Sequence, residues 1–264
     1  MAEETHSPIR YHAEGRVGVV TIDRPEKRNA MTYAMLGEFI AVVGHADADP
    51  DTAVIVVTGV PGAFCAGTDL ADLATIPGRE RGVRGTAEEG GRWWPLVACP
   101  KPVIAAVDGP AVGMGAEFAT QCDLRLATSN ARFAWNFAHR GLVPDTGAGS
   151  WLLPRLLGHQ RALALLYTGR FLSAEEALEL GFVLELVPPE SLLDRALALA
   201  EEIAAASPFS QTRMKRLVYE GLGRDVGAHM AAHVEAMRAC FDSEDHAEGV
   251  AAFLERRPPR FTGR

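Results

Sequence analysis

The residues best suited to chemistry lie in the stretch 108–123, DGPAVGMGAEFATQCD. Gly113 and Gly115 permit tight backbone geometry at the predicted start of a helix, where the first amides have no partner inside the helix. Glu117 follows Met114 by three residues and therefore lies on about the same helix face. The stretch thus predicts a backbone amide, from Met114, that stabilises a developing oxyanion beside a carboxylate able to transfer a proton.

The residue types of this stretch also suggest two different roles. Gly-x-Gly after a strand is typical of dinucleotide binding, but Phe118 stands where the third glycine belongs, and the first strand carries no such loop. We reject dinucleotide binding. Glu117 could instead stabilise the amino end of the helix, a contribution of about 0.3 to 1 kcal/mol. From this stretch alone, that structural role is as well supported as catalysis.

Two apolar runs must position these residues. Residues 53–58, AVIVVT, and Val103–Val107 are rich in β-branched or small apolar residues, which is typical of strands buried on both faces of a mainly parallel sheet. The first run ends in the glycine-rich loop 59–70, and the second leads into residues 108–123. Open α/β folds bind ligands at the carboxyl ends of such strands, so we expect an α/β protein whose two loops converge on one oxygen atom.

Composition and charge exclude several classes of protein. The chain has 264 residues, enough for one large α/β domain with a small appendage. Its net charge of -8, with a pI of about 5.5, argues against a nucleic-acid binder that depends on a broad basic surface. No apolar run approaches the roughly 18 residues of a membrane span, and the first residues lack the apolar core of a signal peptide. We expect a soluble, cytoplasmic protein with neither nucleic acid nor membrane as a partner.

The cysteines and histidines do not predict a metal site. The four cysteines are widely spaced, form no Cys-x-x-Cys pair and are expected to be reduced structural thiols: Cys65, Cys99, Cys122 and Cys240. His229 and His233 have helical i, i+4 spacing, but no glutamate follows His229 and no third ligand is suggested.

The composition changes after Pro188-Pro189. All predicted strands lie in residues 1–189, and the remainder, 190–264, predicts amphipathic helices. We expect a helical appendage that packs on its own core or on another subunit, and its exposed apolar stripes indicate oligomerisation. Residues 77–92 are rich in glycine and arginine and show no period, which predicts a mobile surface loop or a lid over a pocket.

Five motifs in a fixed order resemble the crotonase, or enoyl-CoA hydratase/isomerase, superfamily. They are RPEKRNAM at 24–31, FCAGTDL at 64–70, KPVIAAVDGPAVGMGAEFATQCD at 101–123, GLVPDTGAGSWLLPRLLG at 141–158 and EGVAAFLERRPPRFTG at 248–263. The resemblance covers the chain almost from end to end. It implies a crotonase fold of repeated ββα units with a helical C-terminal domain, assembled as a homotrimer or a dimer of trimers.

The resemblance also implies a substrate and a site. An acyl-CoA thioester binds with its carbonyl oxygen between two backbone amides, which the motifs place at Ala66 and Met114. CoA binding is assigned to residues of two motifs: Arg24, Lys27, Ala66, Gly67, Thr68, Asp69 and Leu70. Coenzyme A is part of the substrate, so no separate cofactor is expected. Two such amides stabilise an enolate by roughly 3 to 4 kcal/mol each in the transition state.

The sequence departs from the simplest hydratase pattern, in which two glutamates share one water. The first is present as Glu117, but the second falls on Phe137, which cannot transfer a proton. Asp145, in the context LVPDTG, is the natural replacement, because an aspartate in this context is catalytic in some relatives. The pattern is most similar to the ring-opening isomerases of phenylacetate degradation and to Δ3,Δ2-enoyl-CoA isomerases. We expect Asp145 to move a proton between Cα and Cγ while Glu117 assists or positions the substrate.

The resulting hypothesis is an enoyl-CoA hydratase or isomerase of fatty acid or aromatic acid degradation, with isomerisation preferred on mechanism. Two alternatives stay open. One is an acyl-CoA-binding protein that has kept the pocket and lost turnover, since a fold does not determine a function. The other is an aryl-CoA dehalogenase, although only scattered tryptophans hint at an aryl pocket.

Overall fold

The computed structural model describes residues 7–75 and 94–264. The predicted lid, 77–92, and Trp93 lie outside the described residues. The strands are β1 Ile9–Glu14, β2 Val17–Ile22, β3 Val54–Gly59, β4 Val103–Val107, β5 Pro110–Val112, β6 Leu124–Ala127, β7 Arg132–Ala134, β8 Leu172–Ser173 and β9 Glu185–Leu186. The helices are α1 Tyr33–Ala48, α2 Leu70–Thr75, α3 Pro95–Ala98, α4 Met114–Gln121, α5 Ala148–Trp151, α6 Leu153–Leu157, α7 His159–Thr168, α8 Ala174–Glu179, α9 Leu192–Ala204, α10 Pro208–Gly221, α11 Val226–Phe241 and α12 Glu244–Glu255.

The strands form two sheets. The larger has the order β1-β2-β3-β4-β6-β9, in which β1 pairs antiparallel with β2 and every other neighbouring pair is parallel. The smaller has the order β5-β7-β8. The buried parallel strands β3 and β4 confirm the α/β prediction, because both are shielded from water along almost their whole length. The hairpin around Gly15 joins β1 to β2.

Both faces of the larger sheet are covered by helices. On one face α1 and α4 pack together through the stacked rings of Phe39 and Phe118, whose centroids lie 4.6 Å apart. On the other face α9 presents Ala196, Ala200 and Ala204, and this four-residue spacing forms one buried helix face against the strands. Helices therefore begin near residue 190 as predicted, and the first of them, α9, packs on the sheet. The division of the chain at that residue stays a prediction.

The smaller sheet was not predicted. Its strand β5 lies in the stretch 108–123, before the predicted helix, and β8 has two residues. The strand β9 of the larger sheet likewise has two residues. Short strands of this kind form because a neighbouring strand offers hydrogen bonds, and sequence periodicity does not reveal that neighbour.

Polar contacts anchor the carboxyl end of α4. Asp123, just after α4, accepts hydrogen bonds from Lys215 Nζ and the Tyr219 hydroxyl of α10, at 2.8 and 2.9 Å. Arg125 is buried, and its guanidinium donates to the carbonyl oxygens of Ala119 and Cys122 at the carboxyl end of α4, at 3.1 and 2.6 Å. These contacts fix α4 relative to the sheet and to the outer helices.

In the described ranges, no helix combines the length and the hydropathy that crossing a membrane requires. The same residues bring together no group of three or more histidine, cysteine or acidic side chains suited to a metal ion.

Candidate active site

Two loops at the carboxyl ends of β3 and β4 lie side by side. The amides of Phe64 and Cys65 donate to the carbonyl oxygen of Pro110, at 3.2 and 3.1 Å, and the Val112 amide donates back to the carbonyl oxygen of Cys65 at 2.9 Å. Gly115 permits this approach, because a Cβ on that residue would lie 2.1 Å from the Cys65 oxygen. The two loops predicted to converge therefore do so.

The Met114 amide is free for a ligand. Met114 begins α4, and the first hydrogen bond within that helix runs from the Glu117 amide to the Gly113 carbonyl, at 3.0 Å. The amide of Met114 consequently has no acceptor inside the helix, as expected for the first turn. This is the geometry that the sequence predicted for one oxyanion donor.

The second amide without an acceptor belongs to Thr68 and not to Ala66, where the sequence predicted it. The Ala66 amide donates to the carbonyl oxygen of Arg28 at 3.0 Å and is therefore not free to bind a substrate. Thr68 lies opposite Met31 in a parallel bridge, whose hydrogen bonds are formed by the residues on either side of Thr68. The amide of Thr68 itself therefore points away from that bridge and meets no acceptor among the described residues. A Cβ on the adjacent Gly67 would lie 3.7 Å from the Met114 nitrogen, which places the two free amides next to each other.

Glu117 is fully buried, and two groups hold its carboxylate. The Thr146 hydroxyl donates to Oε2 and the Gly149 amide donates to Oε1, both at 2.7 Å. Burial and the neighbouring charge of Asp145 raise the pKa of Glu117 to about 8, and the two hydrogen bonds oppose that rise. Glu117 therefore carries a proton at neutral pH and releases it at slightly higher pH.

Asp145 lies near Glu117, on the loop that precedes α5. Its Oδ1 is buried without a hydrogen-bond partner in the described part of the chain. Burial raises the pKa of the carboxyl to about 6, against the stabilising Thr146 amide and Thr68 hydroxyl. With these pKa values Asp145 is ionised at neutral pH while Glu117 is protonated, so the first is suited to accept a proton and the second to donate one.

Two aromatic side chains lie near Gly113 and Glu117. Phe137 is buried, and its Cζ lies 3.9 Å from the position of a Cβ built on Gly113, beside the Met114 amide. Trp135 packs edge-on against Phe182 with ring centroids 5.4 Å apart. Burial raises the pKa of the Cys65 thiol to about 12, so this cysteine is a structural residue and not a nucleophile.

The predicted CoA ligands have mixed outcomes. Arg24 donates to Asp69 at 2.8 Å and to the carbonyl oxygen of Ala30 at 2.9 Å, and Asp69 also accepts the amide of Ala71 in the first turn of α2. Arg24 and Asp69 therefore stabilise the loop, and the CoA role predicted for them stays a prediction. Lys27 is exposed and forms no ion pair with the described acidic residues, so its predicted role in binding phosphate stays a prediction.

The remaining predicted ligands are Gly67, Thr68 and Leu70. Gly67 is buried beside Met114 and Leu70 is half exposed at the start of α2. The CoA roles of all three stay predictions, and the unpaired Thr68 amide lies next to that of Met114. Sequence reasoning missed Thr146 and Gly149 as partners of Glu117. The only signal for them was that both follow Asp145 in the motif LVPDTGAG.

Comparison with known proteins decides the family. A family model described as enoyl-CoA hydratase/isomerase matches residues 12–264. The chain belongs to the enoyl-CoA hydratase/isomerase family. This family membership confirms the predicted crotonase superfamily and its fold.

Individual relatives of the enoyl-CoA hydratase/isomerase family cover nearly the whole chain. A short-chain-enoyl-CoA hydratase of Clostridium acetobutylicum is 36% identical over 248 residues, which are 92% of this chain and 93% of that protein. A 1,2-epoxyphenylacetyl-CoA isomerase of Escherichia coli is 35% identical over 261 residues, with 97% and 98% covered. The crystal structure of an enoyl-CoA hydratase from Mycobacterium tuberculosis superposes with a TM-score of 0.89 at 34% identity, covering 98% of this chain and 100% of that one.

These relatives support an enzyme of the enoyl-CoA hydratase/isomerase family, a lyase or an isomerase that acts on an acyl-CoA. The two alternatives, an inactive acyl-CoA-binding protein and an aryl-CoA dehalogenase, are not favoured.

Proposed function

We propose that this protein is an enoyl-CoA isomerase that moves a double bond from the Cβ–Cγ to the Cα–Cβ position. Asp145 takes a proton from Cα, and the electrons of that bond form a dienolate whose negative charge collects on the thioester oxygen. The amides of Thr68 and Met114 stabilise that oxygen. Glu117 then supplies a proton to Cγ, and the thioester carbonyl re-forms. Proton exchange from Asp145 to Glu117, directly or through solvent, restores the starting state.

The observation that carries the proposal is the pair of buried carboxyl groups with separated pKa values beside two free amides. The ionised group, Asp145, has an unpartnered buried oxygen, and the protonated group, Glu117, is fixed by two donors. Burial keeps water away from the dienolate and strengthens the hydrogen bonds to the oxyanion. No separate cofactor takes part in the proposed reaction, since coenzyme A belongs to the substrate.

Incubation with a 3-enoyl-CoA in deuterated water, followed by mass spectrometry, tests the proposal. We expect a 2-enoyl product that has gained deuterium at Cγ and no molecule of water, because the proton on Glu117 exchanges with solvent. A main product heavier by one water molecule would overturn isomerisation in favour of hydration.

Hydration is the second candidate, because several relatives are named hydratases. In this reaction Glu117 and Asp145 would share one water. Phe137 argues against efficient hydration, since the resemblance places the second hydratase glutamate at this position and the ring lies close to the Met114 amide.

The variant Phe137→Glu tests this interpretation. We expect it to raise the ratio of hydration to isomerisation by about tenfold or more, because a second carboxylate can activate water. The control is Phe137→Gln, which has a similar size and cannot act as a base. An equal gain in both variants would show that space, and not proton transfer, limits hydration.

A homotrimer, or a dimer of trimers, is part of the proposal. One face of α11 is an exposed apolar row: Val226, Met230, Val234, Met237 and Phe241. A different exposed apolar set lies at α6, α7 and the residues after them: Leu156, Leu163, Tyr167 and Phe171. Two different faces that pair head to tail close into a ring. A mass in solution equal to one chain, measured by sedimentation, would contradict this assembly.

A cytoplasmic location is also proposed. All four cysteines are free thiols, which supports a reducing compartment. Recovery of the protein in a membrane or an extracellular fraction would contradict this location.

A further inference from the structure

A chain of hydrogen bonds connects Gln121 to Glu117 through Thr146. Gln121 Nε2 donates to the Thr146 hydroxyl oxygen at 3.2 Å, and the same hydroxyl donates to Glu117 Oε2 at 2.7 Å. Because the Gln121 amide is a donor, the Thr146 oxygen accepts on that side and its single hydrogen is directed towards Glu117. The direction of this bond is therefore set by the protein and does not depend on a substrate.

The Thr146 backbone is held as firmly as its side chain. The indole nitrogen of Trp94 donates to the Thr146 carbonyl oxygen at 2.6 Å. Thr146 also follows Asp145 directly, so one fixed peptide segment carries the proposed base and the hydroxyl that contacts the proposed acid. Gly149 completes the arrangement through its amide on Glu117 Oε1.

We propose that Thr146 is a positioning residue of the reaction: its hydroxyl, oriented by Gln121, holds the Glu117 carboxyl in one orientation and stabilises the anion left after proton donation to substrate. This inference rests on the proposed role of Glu117 as the acid. Thr146 has no contact with the reacting carbons in this scheme and acts through Glu117. A merely structural threonine would support the loop without affecting how readily Glu117 gives up its proton.

The groups around Glu117 determine which of them can change its pKa besides Thr146. Asp145, from the loop before α5, is the charged group that acts on Glu117 among the described residues. Uncharged groups lie beside Glu117 Oε1: the Gly149 amide of α5 and the Trp135 ring after β7. Cys65, from the loop after β3, stays neutral because burial raises the pKa of its thiol to about 12.

The variants Thr146→Val and Thr146→Ser test the inference through the pH dependence of turnover. Valine keeps the shape and loses the donor, so the Glu117 anion is less stable and the pKa of Glu117 rises above about 8. We expect the alkaline limb of the profile to move upward by about one pH unit and kcat to fall about tenfold, with KM nearly unchanged. Serine restores the hydroxyl and should restore both the limb and most of the rate.

The variant Glu117→Gln shows whether a negative result contradicts the role of Thr146 or the role of Glu117 as the acid. If the alkaline limb disappears in that variant, the limb belongs to Glu117, and a Thr146→Val profile with an unmoved limb would then overturn the role of Thr146. If the limb persists in Glu117→Gln, the proposed acid is wrong, and the inference fails with it. A fall in rate that serine does not restore would show a packing role, which also contradicts the inference.

Discussion

Asp145→Asn is expected to lower isomerisation by about a hundred- to ten-thousand-fold, the contribution of a positioned general base. The asparagine has the same shape but cannot accept the Cα proton. Binding of the acyl-CoA should be retained, because the amides of Thr68 and Met114 and the surface that binds CoA are unchanged. The measurement is single-turnover conversion of a 3-enoyl-CoA together with calorimetric binding of the same thioester.

The pH profile gives an independent check of the same variant. In the native protein Asp145 must be ionised and Glu117 protonated, so activity should fall below a pH of about 6 and above about 8. The acid limb should vanish in Asp145→Asn, because no group with that pKa remains to be deprotonated. Asp51→Asn changes an exposed aspartate far along the chain from the site and serves as the matched control. Unchanged turnover in Asp145→Asn would remove the assignment.

Replacement of the Thr68 amide by an ester should lower kcat by about a hundred- to a thousandfold. The exchange inserts the α-hydroxy analogue of threonine, which keeps the side chain and removes a single N–H. That hydrogen is one of the two proposed to contact the dienolate oxygen, so its loss affects the transition state more than the bound substrate. The readout is therefore a fall in kcat that exceeds any rise in KM.

The same exchange at Ala66 is the matched control. It removes the bond to the Arg28 carbonyl and should cost about 1 kcal/mol of stability with kcat largely kept. A larger fall in kcat at position 66 than at position 68 would reinstate Ala66 as the donor.

The sequence predicted most of what positions the site. Buried β-branched runs indicated β3 and β4. Met114, Glu117 and Asp145 were predicted as site residues, and the structure brings Asp145 close to Glu117 in the helix that Met114 begins. Such features depend on local residue types and on short-range periodicity, which a single sequence contains.

The choice between Ala66 and Thr68 was beyond the sequence, because it depends on a distant turn. Arg28 and Asn29 adopt left-handed backbone angles with φ of 50° and 58°, and this turn directs the Arg28 carbonyl onto the Ala66 amide. Arg24 was assigned to CoA for its charge, but its pairing with Asp69 appears only once the two loops are folded together. Both the Arg28–Ala66 hydrogen bond and the Arg24–Asp69 pair join residues that are far apart in the chain.

The guanidinium of Arg125 stabilises one end of α4, the carboxyl end. A helix has a partial positive charge at its amino end and a partial negative charge at its carboxyl end. Here a buried guanidinium already stabilises the carboxyl end, while the amide of Met114 at the amino end has no acceptor among the described residues. Negative charge that arrives at the open end finds a dipole already in place, and nothing at the other end has to reorient during the reaction.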